Sequence, residues 1–175
     1  GKECDSSDSV PSGLLTLSES LMRSCNPFFY EVGYTLFQNS RQNDIANMAR
    51  AFGLGQLTGI EQIPEQSGQI VDPPTVIDVV NQAIGQGEVQ ATPLEMALIA
   101  GAVAANGKGY QPTLLHHQVK HSRNRSGELM QLRSEFKPKL KFDLLDMGEQ
   151  SAKAKDLANL REGMWKVVND ESGGT

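Results

Sequence analysis

Residues 83–115 read AIGQGEVQATPLEMALIAGAVAANGKGYQPTLL, and the parsing of this stretch decides the fold. Thr92 precedes Pro93, and Glu95 follows three residues after Thr92. A threonine hydroxyl accepts from the N3 amide, the glutamate reaches back to the cap amide, and proline suits the first helical position. The pattern predicts a helix opening at Pro93, and Asn106-Gly107 supplies its stop. Leu94 to Ala105 is apolar almost all round, so this helix is expected to be buried on every side. Gly85-Gln86-Gly87 before it reads as a turn. A lone Gly-x-Gly with no third glycine at dinucleotide spacing is weak evidence for phosphate binding.

Toward the N-terminus, Thr75 to Ile84 fits a short helix. Thr58 to Pro74 reads as an irregular excursion rich in glycine and proline. Asn43 to Phe52 fits a helix with Ile45, Met48, Ala49 and Phe52 on one face, closed by Gly53 and Gly55. Thr16 and Glu19 form another capping box, so a short helix should follow, burying Leu17 and Leu21 and ending near Ser24. Asn26 then reads as the N-cap of a helix from Pro27 to about Phe37. Its core face would carry Phe28, Val32 and Leu36, flanked by Phe29, Gly33 and Phe37. Ser24 and Asn26 are thus expected in a tight corner between two helices. Gly1 to Ser12 reads as a ragged start.

Toward the C-terminus, Pro112 to Lys120 and Glu128 to Leu132 read as strands around a hairpin turn at Asn124 to Gly127. Phe136 to Met147 carries no clear signal. A last helix fits Leu157 to Val168, burying Leu157, Leu160, Met164, Val167 and Val168. Gly173, Gly174 and Thr175 then stop the chain.

The chain has 175 residues, 38% hydrophobic and 21% charged, a globular composition. Its net charge of −5 and lack of a basic stripe make nucleic acid a poor partner. The most basic stretch, Lys120 to Arg133, also holds Glu128 and reads as a solvated hairpin. The longest apolar run, Met96 to Ala105, is short of the ~18 residues that span a bilayer, so no membrane segment is expected. Gly1 stands where a methionine would, so the sequence is read as starting inside a longer protein, with any anchor or export signal outside it. Cys4 and Cys25 do not make a disulfide scaffold. His116 and His117 are adjacent on a predicted strand and should point to opposite faces. No cluster has metal-ligand spacing, and neither a metal nor a cofactor is expected.

Taken alone, Ser24-Cys25-Asn26 is explained by a helix end and an N-cap. Its surroundings add more. Residues 13–33, GLLTLSESLMRSCNPFFYEVG, resemble the segment around the second motif of the penicillin-binding transpeptidases. Residues 51–68, AFGLGQLTGIEQIPEQSG, resemble that family's F-G-x-G-x-x-T-G-I segment. The opening stretch resembles its I-G-Q-G, T-P-L-Q and A-N-G run, with Glu95 where glutamine is usual. Residues 160–175, LREGMWKVVNDESGGT, resemble the helix leading toward the third motif. These blocks occur in the family's order, and their wording is closest to the class B, monofunctional group.

The resemblance implies a signature of S-x-x-K, then S-D-N or a variant, then K-T-G. It places S-x-x-K before residue 1 and K-T-G after Thr175, so the nucleophile is expected outside this chain and the chain alone is expected to be inactive. The implied fold is mainly α with a β-hairpin: the helical lobe of the serine transpeptidase and β-lactamase α/β fold, its central sheet largely missing. Residues 1–175 would then be part of one transpeptidase domain. The implied function is peptidoglycan cross-linking by serine acyl transfer on the outer face of the cytoplasmic membrane. Stem peptides and β-lactams would be the ligands. The implied site residues here are Ser24, to pass a proton between lysines, and Asn26, to hold the substrate carbonyl. Cys25 would point into the core. The missing sheet would leave an apolar face, to which Leu157, Leu160, Met164 and part of the Pro93 helix would contribute, so self-association or dye binding is expected. Two rivals stay open: a β-lactam sensor or D,D-carboxypeptidase of the same fold, and a non-catalytic protein-interaction module.

Overall fold

A computed structural model describes residue 4 and residues 13–148 and 151–170. Most of the ragged start expected over Gly1 to Ser12, and the stop expected at Gly173 to Thr175, lie outside the described residues.

Three helices open with a threonine cap. Helix α1 (Leu17–Met22), α4 (Val76–Ala83) and α5 (Pro93–Ala104) each carry a complete capping box, from Thr16/Glu19, Thr75/Asp78 and Thr92/Glu95. Each box satisfies two amide donors that the first turn leaves orphaned. Helix α2 (Asn26–Gln38) differs from expectation. Its N-cap is Cys25, which makes no side-chain cap hydrogen bond, and Asn26 is its first residue with Pro27 second. Helix α3 (Asp44–Ala51) ends where Gly53 and Gly55 take positive φ. Helix α6 (Ala154–Asn169) is the last element.

The strands are short and form separate antiparallel pairs. Two-residue strands β1 (Gln69–Ile70) and β2 (Val89–Gln90) pair with each other, as do β3 (Lys108–Tyr110) and β6 (Leu140–Asp143). The hairpin of β4 (His117–Arg123) and β5 (Leu129–Glu135) runs in register from His117↔Glu135 to Arg123↔Leu129. Its turn is built by Asn124, whose Oδ1 accepts from Ser126 N at 3.0 Å and Glu128 N at 2.9 Å. The strand β6 gives structure to the segment that carried no sequence signal. The His116 and His117 rings do not diverge. His116 precedes the strand, and the two Nδ1 atoms lie 3.2 Å apart.

Helices pack in pairs through small residues. Gly163 of α6 meets α1: an added Cβ would sit 2.8 Å from Leu21 Cδ1 and 3.2 Å from the Ser18 carbonyl. Ser18 donates to Asn159 O at 3.0 Å, tying the same pair. Gly33 lets α2 approach α4, where an added Cβ would meet Val79 O at 3.0 Å and Ala83 Cβ at 3.1 Å. The central core joins Ala51, Leu144 and Leu157, with Met48, Phe52, Phe142, Met147 and Ala152 packed against it.

Several expected core positions are open. Leu17 is exposed, and α1 buries Ser18, Ser20 and Met22 instead. Val32 and Phe37 are exposed on α2, whose one buried residue is Gly33. Met164 and Val168 are exposed on α6, which buries Leu157 and Gly163. Helix α5 buries Glu95, Leu98, Ala102 and Val103, while Met96, Ala97, Ala100, Gly101 and Ala104 face out. A helix apolar on all sides carries no periodicity to say which side is covered, so the expectation of full burial fails on its outer face. Cys4 and Cys25 are joined in a disulfide, with Cα atoms 5.5 Å apart. A separation of 21 residues gives no hint of that approach.

Candidate functional site

Residues 23–25 are all that separates α1 from α2, and the corner they make sets the site. Ser24 turns it with φ 50°, in the left-handed region. For a residue with a Cβ that conformation costs about 1–2 kcal/mol. The flanks hold it there. Ser24 N donates to Leu21 O at 3.1 Å and Cys25 N to Ser20 O at 2.9 Å. Cys25 is 3% exposed and anchored by its disulfide, whereas Ser24 and Asn26 on either side are exposed. The corner therefore drives one side chain into the core and presents the two polar neighbours outward.

Packing below the corner fixes its place. Helix α1 is pinned on α6 and α2 on α4 by the glycine contacts described above. Asn26 follows Ser24 by two residues but occupies the first turn of α2. Its amide is not spent on capping, since α2 has no side-chain cap bond. Hydroxyl and amide are thus a donor–acceptor set at the mouth of a helix, held by backbone and not by each other.

Literal motif spacing occurs elsewhere and fails on geometry. Ser122-Arg123-Asn124 has the S-x-N spacing, but the Asn124 side chain is consumed by the hairpin turn. The spacing S-x-x-K occurs at Ser134-Glu135-Phe136-Lys137, a match the expectation of a nucleophile only outside the chain passed over. Residues three apart share a face on a helix, which is how a serine and a lysine meet in that motif. Ser134 lies on strand β5, where neighbours alternate sides, and the strand ends at Glu135. Strand geometry removes this pair as a nucleophile and base.

A buried carboxylate supports the region between α3 and α5. Glu95 is 1% exposed. Its carboxylate accepts from Thr92 N at 2.6 Å, Gly55 N at 2.9 Å and Gly68 N at 3.0 Å. Burial alone would push the Glu95 carboxyl up, but the amides of Thr92, Gly68 and Gly55 outweigh it and hold it below its ordinary value. Glu65 closes the adjacent loop, accepting from Thr58 N at 2.5 Å and Gly59 N at 3.0 Å. An open groove of about 710 Å³ lies between α5 and α6, and neither Ser24 nor Asn26 lines it. Among the described residues no group of three or more His, Cys, Asp or Glu is placed to hold a metal.

The comparisons with known proteins agree with this architecture. The family model described as the penicillin binding protein transpeptidase domain matches residues 2–175. The peptidoglycan D,D-transpeptidase MrdA of Acinetobacter baumannii is 27% identical over 114 residues, which cover 59% of this chain and 16% of that protein. Stage V sporulation protein D of Bacillus subtilis is 35% identical over 103 residues, covering 57% of this chain and 15% of that one. The chain thus spans about a sixth of the length of these relatives. Penicillin-binding protein 2B of Streptococcus pneumoniae superposes with a TM-score of 0.71 at 20% identity, covering 92% of this chain and 27% of that one. At that identity the superposition speaks to fold alone, and it bears out a helical lobe with the central sheet only partly present. The family model, which covers nearly every residue, shows that this chain belongs to the penicillin-binding protein transpeptidase family.

Proposed function

We propose that the chain is part of a peptidoglycan D,D-transpeptidase that cross-links stem peptides by serine acyl transfer. The same enzyme would be acylated by β-lactams, at the outer face of the bacterial cytoplasmic membrane. The observation that carries this reading is the left-handed Ser24 at the α1–α2 corner, exposed beside Asn26. Strain of that kind in a non-glycine residue concentrates at functional sites, where the surrounding structure over-determines it. The name of the MrdA relative, a peptidoglycan D,D-transpeptidase, supports the transpeptidase over the carboxypeptidase and sensor readings.

In this reading the nucleophilic serine and its lysine come from residues outside the chain. The serine oxygen attacks the carbonyl between two D-alanines, the terminal D-alanine leaves as an amine, and a second amine then takes the acyl group from the ester. Ser24 would relay the proton that the leaving amine needs, since a hydroxyl both accepts and donates. Asn26 would donate its side-chain N–H to the substrate carbonyl and accept from a lysine.

The test uses the full-length protein that contains these residues. Asn26→Ala should slow acylation by a fluorescent penicillin about 10²–10³-fold, as loss of a pre-organised donor does, while the melting temperature barely moves. A variant that acylates at the parent rate would leave Asn26 without a catalytic part. A purely structural role is already weakened, because Asn26 caps nothing.

A further inference from the structure

The charge of the chain is divided unevenly. Residues 116–141 carry seven Lys and Arg against two Glu, net +5, while all other residues carry nine against nineteen, net −10. The positive part is the β4–β5 hairpin and the segment leading to β6. Lys139 and Lys141 at its end are engaged, with Glu61 Oε1 at 3.5 Å and with the Leu57 carbonyl. The cations of the hairpin itself, Lys120, Arg123, Arg125 and Arg133, have no carboxylate partner among the described residues; Arg123 meets the Gly127 carbonyl and Arg133 the His117 ring.

The hairpin is also an unfinished sheet. Among the described residues β4 pairs with β5 alone, so the outer edge of each strand is open along seven residues. Every residue of β4 is exposed. Open edges of this length recruit another strand unless something opposes it. Here the opposition is selective. An incoming strand on β4 meets Val119 on one face with His117, His121 and Arg123, and Lys120 on the other, with no acid anywhere along the edge. A second copy of β4 in antiparallel register would set Lys120, the strand's middle residue, against its own counterpart, and like charges directly opposed are destabilising. The hairpin's other edge, β5, carries Glu135 and is less one-sided.

We propose that β4 is the docking edge for an extended acidic segment of a partner protein, which adds to the hairpin as a third strand with an apolar residue set against Val119. The backbone supplies the pairing and the cations choose the partner. A charge of opposite sign on the rest of the molecule would keep acidic segments off every other surface.

The probe is a synthetic peptide of about ten residues, glutamate throughout but for one central valine, titrated into the 175-residue chain at low salt. Binding should perturb backbone amide resonances of residues 116–135 alone. Two changes should each weaken it about tenfold: Lys120→Glu with Arg123→Glu on the chain, and N-methylation of alternate amides in the peptide. The chain variant should keep its melting temperature, because both side chains are exposed. Equal binding of the N-methylated peptide would overturn strand addition. Equal binding by the charge-reversed chain would overturn the electrostatic choice. Binding to phosphatidylglycerol vesicles but not to the peptide would give the charge to a membrane surface, and a dimer abolished by the same substitutions would give the edge to a second copy; either overturns the proposal.

Discussion

Glu95 stands where the family resemblance leads one to expect glutamine, and its environment shows what the carboxylate gains. Three backbone amides from three segments converge on two oxygens that both lack a proton. A glutamine in the same place offers one accepting oxygen and turns an NH₂ toward a donor. Glu95→Gln should therefore leave an amide unpaired and cost about 1–3 kcal/mol in urea unfolding at pH 7. The pH dependence gives a second reading. The native pKa is depressed below the ordinary 4.5, so the unfolded chain binds the proton more readily. The increment is complete above that value and is lost as pH falls through the lower native one. The parent chain should lose stability over the acid range more steeply than Glu95→Gln. Identical acid limbs and equal urea midpoints would show that an amide serves these donors as well.

Single residues also mark where sequence reading stops. Ser24 and Asn26 were legible as a corner, because capping boxes and proline fix helix starts through local hydrogen bonds. Their division of labour was not. The cap went to Cys25, which is tied to Cys4 far off in sequence, and Ser24 takes a left-handed φ between the two helices. Local propensity sees neither.

At the scale of elements, α5 separates two kinds of apolar position that look alike in sequence. Both Val103 and Ala100 border the groove against α6, but Val103 is 2% exposed and packed, whereas Ala100 is exposed. Val103→Asp should abolish cooperative unfolding, since an unpaired buried charge costs several kcal/mol. Ala100→Glu should melt within a few degrees of the parent, measured by helical circular dichroism, because its carboxylate reaches water. Collapse of both variants would mean the outer face of α5 is covered after all. The start of this helix was legible to the residue, from Thr92 and Pro93, and Asn106-Gly107 marked a stop just past its C-cap Ala105, while its buried side was not legible. Capping is written in side chains next to the helix; burial is decided by elements far away in sequence.

At the scale of the molecule, the open side of α5 continues onto α6. Ala100, Val103 and Ala104 face Ala158, Arg161, Met164 and Trp165 across the groove, and Trp165 and Val168 are 61% and 82% exposed. The apolar face was expected from sequence, with Leu157, Leu160 and Met164 as its stripe. Leu157 instead belongs to the core with Ala51 and Leu144, and Trp165 takes its place on the surface. Met164 and part of α5 line the face as expected, and the exchange of Leu157 for Trp165 follows from geometry: Gly163 turns toward Leu21 of α1, so residues flanking it on the far side of α6 are left outward. Apolar surface of this extent rarely stays wet. The 175-residue chain should bind a hydrophobic dye and scatter light as a self-associated species at high concentration. Trp165 is the chain's single tryptophan, so its fluorescence reports this face alone. In dilute chain the indole should be freely quenched by acrylamide; on association its emission should move to the blue and quenching should fall. In a longer protein that contains these residues, dye binding should disappear and the indole at this position should be shielded at every concentration. A dilute chain whose tryptophan resists acrylamide, with no dye bound and no dependence on concentration, would show that the face is sealed within these residues.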